Sequence, residues 1–156
     1  KAQYLGGVYT KMRQGIIIHD VFVDESNVAD ITGFDFVFLA IDNPGAKGII
    51  IDHLRRERVP FIDLGMGLTY NGDSLRGMLR STLITDENAV HLGKIPTDGL
   101  VGNDPYTRNI QIAELNALNA IMGVMAWKKL YGFYLRDEMH HNATFIVDEG
   151  VMCLEA

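Results

Sequence analysis

An apolar run that ends in a helix-start signal is the feature that most constrains the fold. Residues 34–41 are apolar except for Asp35, which is typical of a central strand buried on both faces. Residues 42–44 read Asp-Asn-Pro, where Asp or Asn can cap a helix and Pro suits its first position. The helix is expected to run to about Arg58, and residues 59–64 form the next predicted strand. The sequence therefore predicts a strand–helix–strand unit with parallel strands.

The remaining segments show different patterns. They predict a helix over 1–13, a strand over 15–23, a strand over 75–84, a long loop over 85–105, a helix over 107–131 and a last strand over 143–147. Because regular helical crossovers stop after residue 64, the parallel strands are expected to continue into a mixed sheet. A chain of 156 residues suits one α/β domain over 1–156.

Composition excludes several classes of function. The chain has 20 acidic and 14 basic residues and a formal charge of −6, which disfavours a nucleic-acid partner because phosphate neutralisation needs an excess of Lys and Arg. Its longest apolar run is too short to cross a bilayer, so no membrane partner is expected. The single cysteine, Cys153, excludes an internal disulfide, is expected to be buried or inert, and fits a cytoplasmic location.

Asp42 is the most informative candidate site residue. It follows a predicted buried strand, and ligands of open α/β sheets bind at such carboxyl ends. A carboxylate there could hold Mg²⁺ and a nucleotide phosphate; the alternative is that Asp42 or Asn43 only caps the helix. Lys47, one turn into that helix, could face phosphate oxygens or could be an ordinary solvated lysine.

Other candidates are weaker. Arg76 and Arg80 alternate along the strand predicted over 75–84 and are expected to face outward, toward an acidic partner or toward solvent. The helix over 107–131 has two apolar faces, which fits either a dimer interface or a fully internal helix. The chain contains neither G-x-G-x-x-G nor G-x-x-x-x-G-K-[ST], although a complete nucleotide-binding domain needs some phosphate loop.

Three stretches, in this order and spacing, resemble the ThiF/HesA/MoeB family, the bacterial relatives of ubiquitin-activating enzymes. Residues 34–43, followed by Lys47, resemble the family's D-x-V-(x)₄-D-N-(x)₃-R segment. Residues 59–67, with Gly77 and Arg80 downstream, are similar to its next two strands. Residues 109–120 are similar to the long helix that follows the family's crossover loop. The resemblance spans most of the chain.

The resemblance implies a Rossmann-like three-layer domain truncated at its N-terminal end, with the glycine-rich ATP loop upstream of Lys1. It implies an adenylyltransferase that uses ATP and Mg²⁺ to activate the C-terminal carboxylate of a ubiquitin-like or sulfur-carrier protein as an acyl adenylate. By resemblance, Asp42 would hold the Mg²⁺, Lys1 and Lys47 would face phosphate oxygens, and Asn43 would orient the turn. A homodimer is also implied.

Some residues depart from the family pattern. Lys47 stands where the family usually has Arg, and residues 85–105 contain no Cys to act as a transthiolation nucleophile. The paired Cys of the family's zinc knuckles are also missing, so a reaction that stops at the adenylate suits this chain. One alternative is a non-catalytic interaction subunit of an activating-enzyme complex. A fragment of an NAD- or FAD-linked oxidoreductase is another, because the strand–helix pattern is generic.

Overall fold

The computed structural model describes residues 1–97 and 111–156. Its helices and strands, in chain order, are α1 (Ala2–Tyr9), β1 (Val37–Leu39), α2 (Pro44–Arg56), β2 (Phe61–Tyr70), β3 (Leu75–Ile84), α3 (Ala113–Leu130), β4 (Asn142–Ile146) and β5 (Val151–Glu155). Short 3₁₀ turns lie at Val28–Asp30 and Leu92–Lys94. The strands form one sheet in the order β1-β2-β3-β4-β5.

The sheet is mixed, as the sequence predicts. β1 and β2 are parallel, with Val37 opposite Phe61 and Leu39 opposite Asp63. The other three neighbouring pairs that the structure describes, β2 with β3, β3 with β4 and β4 with β5, are antiparallel. The α/β class and the parallel strand–helix–strand unit are therefore confirmed.

The sequence around residue 43 explains where α2 begins. The Asn43 side-chain Oδ1 accepts a hydrogen bond from the Ala46 backbone N–H at 3.0 Å, and Pro44 opens the helix. Basic residues lie in its last turn, where they oppose the negative end of the helix dipole. The helix begins where the sequence indicates and ends at Arg56, two residues earlier than expected.

Helices pack on the two faces of the central strands. On one face, Ile50, Ile51 and Leu54 of α2 cluster with Leu39 and Phe61. Side chains alternate across a strand, so Leu64 lies on the other face, where α3 packs. There Gly123 sits so close that a Cβ would stand 2.8 Å from a Leu64 methyl carbon. The strand residues thus lie between two helical layers.

Two predicted strands differ from the structure. Residues 15–23 form no strand, because no neighbour among the described residues supplies backbone hydrogen bonds to them and an isolated strand is unstable in water. The run over 34–41 shortens to β1, with Phe38 42% exposed. Because Phe38 is exposed, the expected burial of this strand on both faces is wrong. Because β1 has only one partner strand within the described part of the chain, it is an edge strand there and not the expected central strand.

The later segments agree more closely. β3 has the predicted bounds, and β4 replaces the strand predicted over 143–147. β5 was not predicted, and it carries Cys153 as an exposed free thiol. The predicted loop is described only to residue 97, and the first residues of the helix predicted over 107–131 lie outside the described residues. None of the helices within 1–97 and 111–156 combines the length and apolar character needed to cross a bilayer.

Candidate functional site

A cleft opens where β1 and β2 diverge. The pairing of β1 with β2 ends at Leu39 and Asp63, after which β1 turns toward α2 while β2 continues to Tyr70. The cleft between them has a volume of about 370 Å³ and is lined on one side by Asp42, Pro44 and Lys47. Its other side is formed by β2 and β3. The site therefore lies at the carboxyl end of the parallel pair, where open α/β sheets bind ligands.

A second cavity of about 280 Å³ adjoins the first. It is lined by Lys1, Asp42, Leu64, Asn116 and Asn119, among others. Asp42 and Leu64 line both cavities. The structure thus places Lys1 and Lys47 in adjacent cavities, with Asp42 between them, although they are distant in sequence.

Asn43 has a different role from its neighbour. Its side chain caps α2 through Ala46, so Asp42 is not the capping residue of this helix. The Asp42 side chain is exposed and faces the cavities instead. The capping alternative left open by the sequence therefore applies to Asn43.

A buried ion cluster lies at the floor of the cleft. Asp63 is fully buried, and its Oδ1 lies 2.7 Å from the Lys47 Nζ. Its Oδ2 lies 2.6 Å from the Arg80 Nη2, which donates a hydrogen bond to it. This Lys47–Asp63–Arg80 cluster joins α2, β2 and β3.

The cluster corrects two sequence expectations. Lys47 is only 6% exposed, so it is not a solvated lysine. The Arg80 side chain is 16% exposed and turns toward Asp63, so it does not face outward. Arg76 is exposed, as expected.

Gly65 explains why Arg80 can turn inward. It is the residue opposite Arg80 across the strand pair. A Cβ at Gly65 would stand 2.8 Å from the Arg80 Nη2, so any larger residue there would require the guanidinium to move. The sequence analysis did not predict Asp63 as a site residue. The available signal was an acidic residue within a largely apolar strand, because a buried carboxylate needs a cationic partner.

The cleft is bordered by charges of both signs. Lys47 and Arg80 contribute two positive charges, and Asp63 and Asp42 contribute two negative charges. The first turn of α2, which borders the cleft at Pro44, adds the positive end of the helix dipole. The helix start therefore favours a negatively charged group on that side of the cleft.

Protein side chains alone form no metal site in the described part of the chain. Across residues 1–97 and 111–156, no cluster of three or more His, Cys, Asp or Glu side chains could hold a metal ion. Mg²⁺ is commonly bound through one or two carboxylates together with substrate phosphates and waters. Asp42, exposed between the two cavities, fits that mode and would hold Mg²⁺ only alongside a phosphate ligand.

Comparison with known proteins gives little further information. Neither a protein-family model nor a curated protein matches this chain. Among solved structures, the crystal structure of SeMet PaaA is similar, with 14% sequence identity and a TM-score of 0.48. The match covers 85% of this chain and 45% of that chain, so it spans less than half the length of that protein. A likeness of this size identifies neither a family nor a function.

Proposed function

We propose that this chain is part of a ThiF-type adenylyltransferase with a Rossmann-like fold, which activates the C-terminal carboxylate of a ubiquitin-like or sulfur-carrier protein. The observation that carries the proposal is the position of Asp42, which lines both cavities at the carboxyl end of β1. Lys1 lines one of these cavities and Lys47 lines the other. The resemblance assigns these same three residues to ATP and Mg²⁺.

The proposed reaction must overcome repulsion between two anions. A carboxylate oxygen forms a bond to the α-phosphorus of ATP while the bond from that phosphorus to the bridging oxygen breaks, and pyrophosphate leaves with the electron pair. Bound Mg²⁺ supplies charge neutralisation in such reactions. Here Asp42 would hold the ion, and Lys1 and Lys47 would contribute positive charge fixed in place before the reaction.

The fixed geometry of Lys47 supports this role. Its ammonium is held by Asp63 in a nearly water-free position, where an electrostatic interaction is stronger than at an exposed surface. Asn43 would act indirectly, because its cap fixes the turn that carries Asp42. Lys replaces the family's usual Arg at position 47. The phosphate oxygens would therefore contact the single charge of an ammonium group and not a bidentate guanidinium.

The proposed partners are the carrier protein and a second copy of this chain. Ile121 lies one helical turn before Val124 and Met125 on α3, and the three side chains are exposed by 54%, 41% and 51%. A second subunit would cover this apolar face. The reducing cytoplasm is the proposed location, as the lone Cys153 suits it.

The test is Mg²⁺·ATP binding by calorimetry on the full-length natural protein, wild type beside Asp42→Ala. The matched control is Asp52→Ala, which removes an exposed carboxylate from α2 away from the two cavities. We expect Asp42→Ala to weaken binding sharply and abolish ATP–pyrophosphate exchange, and the control to change neither. Unchanged exchange in Asp42→Ala would overturn the proposal.

A non-catalytic interaction subunit is the second candidate. It is favoured by the pairing of Lys47 and Arg80 with a protein carboxylate, which already gives both cations a structural role. A wild-type protein that folds and binds its partner but shows neither ATP binding nor exchange would select this candidate.

A further inference from the structure

The Arg80 guanidinium connects the floor of the cleft to the segment that follows β3. Its Nη2–H donates to Asp63 Oδ2 at 2.6 Å. Its Nη1–H donates to the backbone carbonyl of Lys94, in the 3₁₀ turn at Leu92–Lys94. Its Nε is buried and has no hydrogen-bond partner in the described part of the chain. Both terminal nitrogens of the guanidinium therefore hold protein oxygens.

The Lys94 end of this connection is itself fixed. Lys94 Nζ forms an ion pair with Glu155 of β5. Glu155 Oε2 accepts a hydrogen bond from Asn142 Nδ2, and the buried Asn142 Oδ1 accepts one from the Thr82 hydroxyl. These contacts span three neighbouring strands. The Lys94 carbonyl is therefore a fixed point to which Arg80 is attached.

The Asp63 end of the connection leads to Lys47. Arg80 contacts one carboxylate oxygen of Asp63, and the other oxygen lies 2.7 Å from Lys47 Nζ. Because the carboxylate is a planar group, it cannot turn away from Arg80 without also moving the oxygen that faces Lys47. A lysine side chain without such a contact occupies many rotamers. The position of the Lys47 ammonium therefore depends on Asp63, and the position of Asp63 depends on Arg80.

We infer that Arg80 is a positioning residue, which acts through Asp63 to hold the Lys47 ammonium in place for a phosphate group of the nucleotide. This deepens the proposed function and rests on it, because it takes Lys47 to face a phosphate. An ammonium that is fixed beforehand loses less entropy when the nucleotide binds. An arginine is required because its planar fork contacts Asp63 and the Lys94 carbonyl together, whereas a lysine has one nitrogen.

The test is a double-mutant cycle in Mg²⁺·ATP affinity, measured by calorimetry on the full-length natural protein. Arg80→Lys keeps the positive charge beside Asp63 but replaces the fork with a single nitrogen, so it changes the geometry without removing charge. The substitution is made in the wild type and in Lys47→Met. Asp63 retains at least one cationic partner in all four proteins, so none of them buries this carboxylate without a counter-charge.

We expect the effect of Arg80→Lys to depend on Lys47. In the wild type it should weaken ATP binding about fivefold, a coupling of the size usual for residues of one ion-pair network. Lys47→Met should itself weaken binding about tenfold, which leaves a measurable affinity. In that background Arg80→Lys should change the affinity by less than about twofold, because no ammonium remains to be positioned.

Arg76→Lys is the matched control, because Arg76 is an exposed arginine of the same strand. It should leave the affinity unchanged in both backgrounds.

Gly65→Ala displaces the guanidinium by a second route. A Cβ at Gly65 would stand 2.8 Å from Arg80 Nη2, so the guanidinium must move although every charge is retained. This variant should also weaken ATP binding in the wild type and have much less effect in Lys47→Met. The cycle therefore does not depend on the folding of Arg80→Lys.

Two results would overturn the inference alone. An equal loss in both backgrounds would mean that Arg80 contacts the nucleotide directly or supports the cleft independently of Lys47. No loss in either background would mean that Lys47 needs no positioning by Arg80. Both results require normal ATP binding by the wild type and leave the proposed function in place. A wild-type protein that binds no ATP would overturn the proposed function and this inference together.

Discussion

Neutralising Asp63 should destabilise this protein far more than removing any exposed charge. Asp63→Asn keeps the shape of the side chain but removes the negative charge that lies between two buried cations and attracts both. Lys47 Nζ and Arg80 Nη2 contact opposite oxygens of the same carboxylate at 2.7 and 2.6 Å. The substitution therefore converts two attractive pairs into one repulsive pair.

The size of the effect follows from that geometry. Two cations bridged by one carboxylate lie roughly 6 Å apart, and at an effective dielectric constant of about 20 their repulsion is about 3 kcal/mol. Removing one partner of a buried ion pair costs about 3–5 kcal/mol. We therefore expect the free energy of unfolding to fall by about 3–5 kcal/mol, a large part of the roughly 5–15 kcal/mol typical of a domain.

Urea unfolding followed by far-UV circular dichroism measures this loss. Asp52→Asn, an exposed position on α2, is the matched control and should change stability by less than about 0.5 kcal/mol. A triple variant, Lys47→Met with Asp63→Leu and Arg80→Met, removes all three charges and should recover most of the loss. If Asp63→Asn lowered the free energy of unfolding by less than about 1 kcal/mol, the reasoning would be refuted, because two buried cations without a counter-charge should destabilise the protein by more than that.

Three further predictions concern other parts of the fold. Asn43→Ala removes the side-chain cap of α2 and should lower the free energy of unfolding by about 1 kcal/mol in urea unfolding, with Asn43→Asp close to wild type. Leu54→Ala truncates a fully buried side chain of the α2 core. It should lower the free energy of unfolding by about 2.7–5 kcal/mol in the same assay. A loss under about 1 kcal/mol would mean that this core is not close-packed. Burial lowers the pKa of His141 below 6.5, so the unfolded chain binds its proton more readily and stability should fall as pH drops below about 6.5. Urea midpoints measured on both sides of that pH should show a smaller decrease in His141→Gln, and an identical decrease would contradict this assignment.

The sequence alone determined the features that depend on neighbouring residues. The start of α2 follows from Asn43 and Pro44, whose effects act within one helical turn. The bounds of β3 and the class of the sheet follow from apolar patterning, and just before β3 the Asn71 side chain accepts a hydrogen bond from the Ser74 N–H. Asp42 could be singled out as a candidate site residue because the end of a strand can be predicted from the sequence.

Only the tertiary structure decided which distant side chains meet. Residues 15–23 have strand composition yet form no strand, because strand formation depends on a hydrogen-bonding neighbour and not on composition. From the sequence, Lys47 could face a phosphate or solvent, and Arg80 was expected to face outward toward an acidic partner or solvent. The packing of α2 and β3 against β2 brings both to Asp63. The sequence shows each charge separately. The ion cluster exists because the fold removes all three groups from water at one point, where each needs the others.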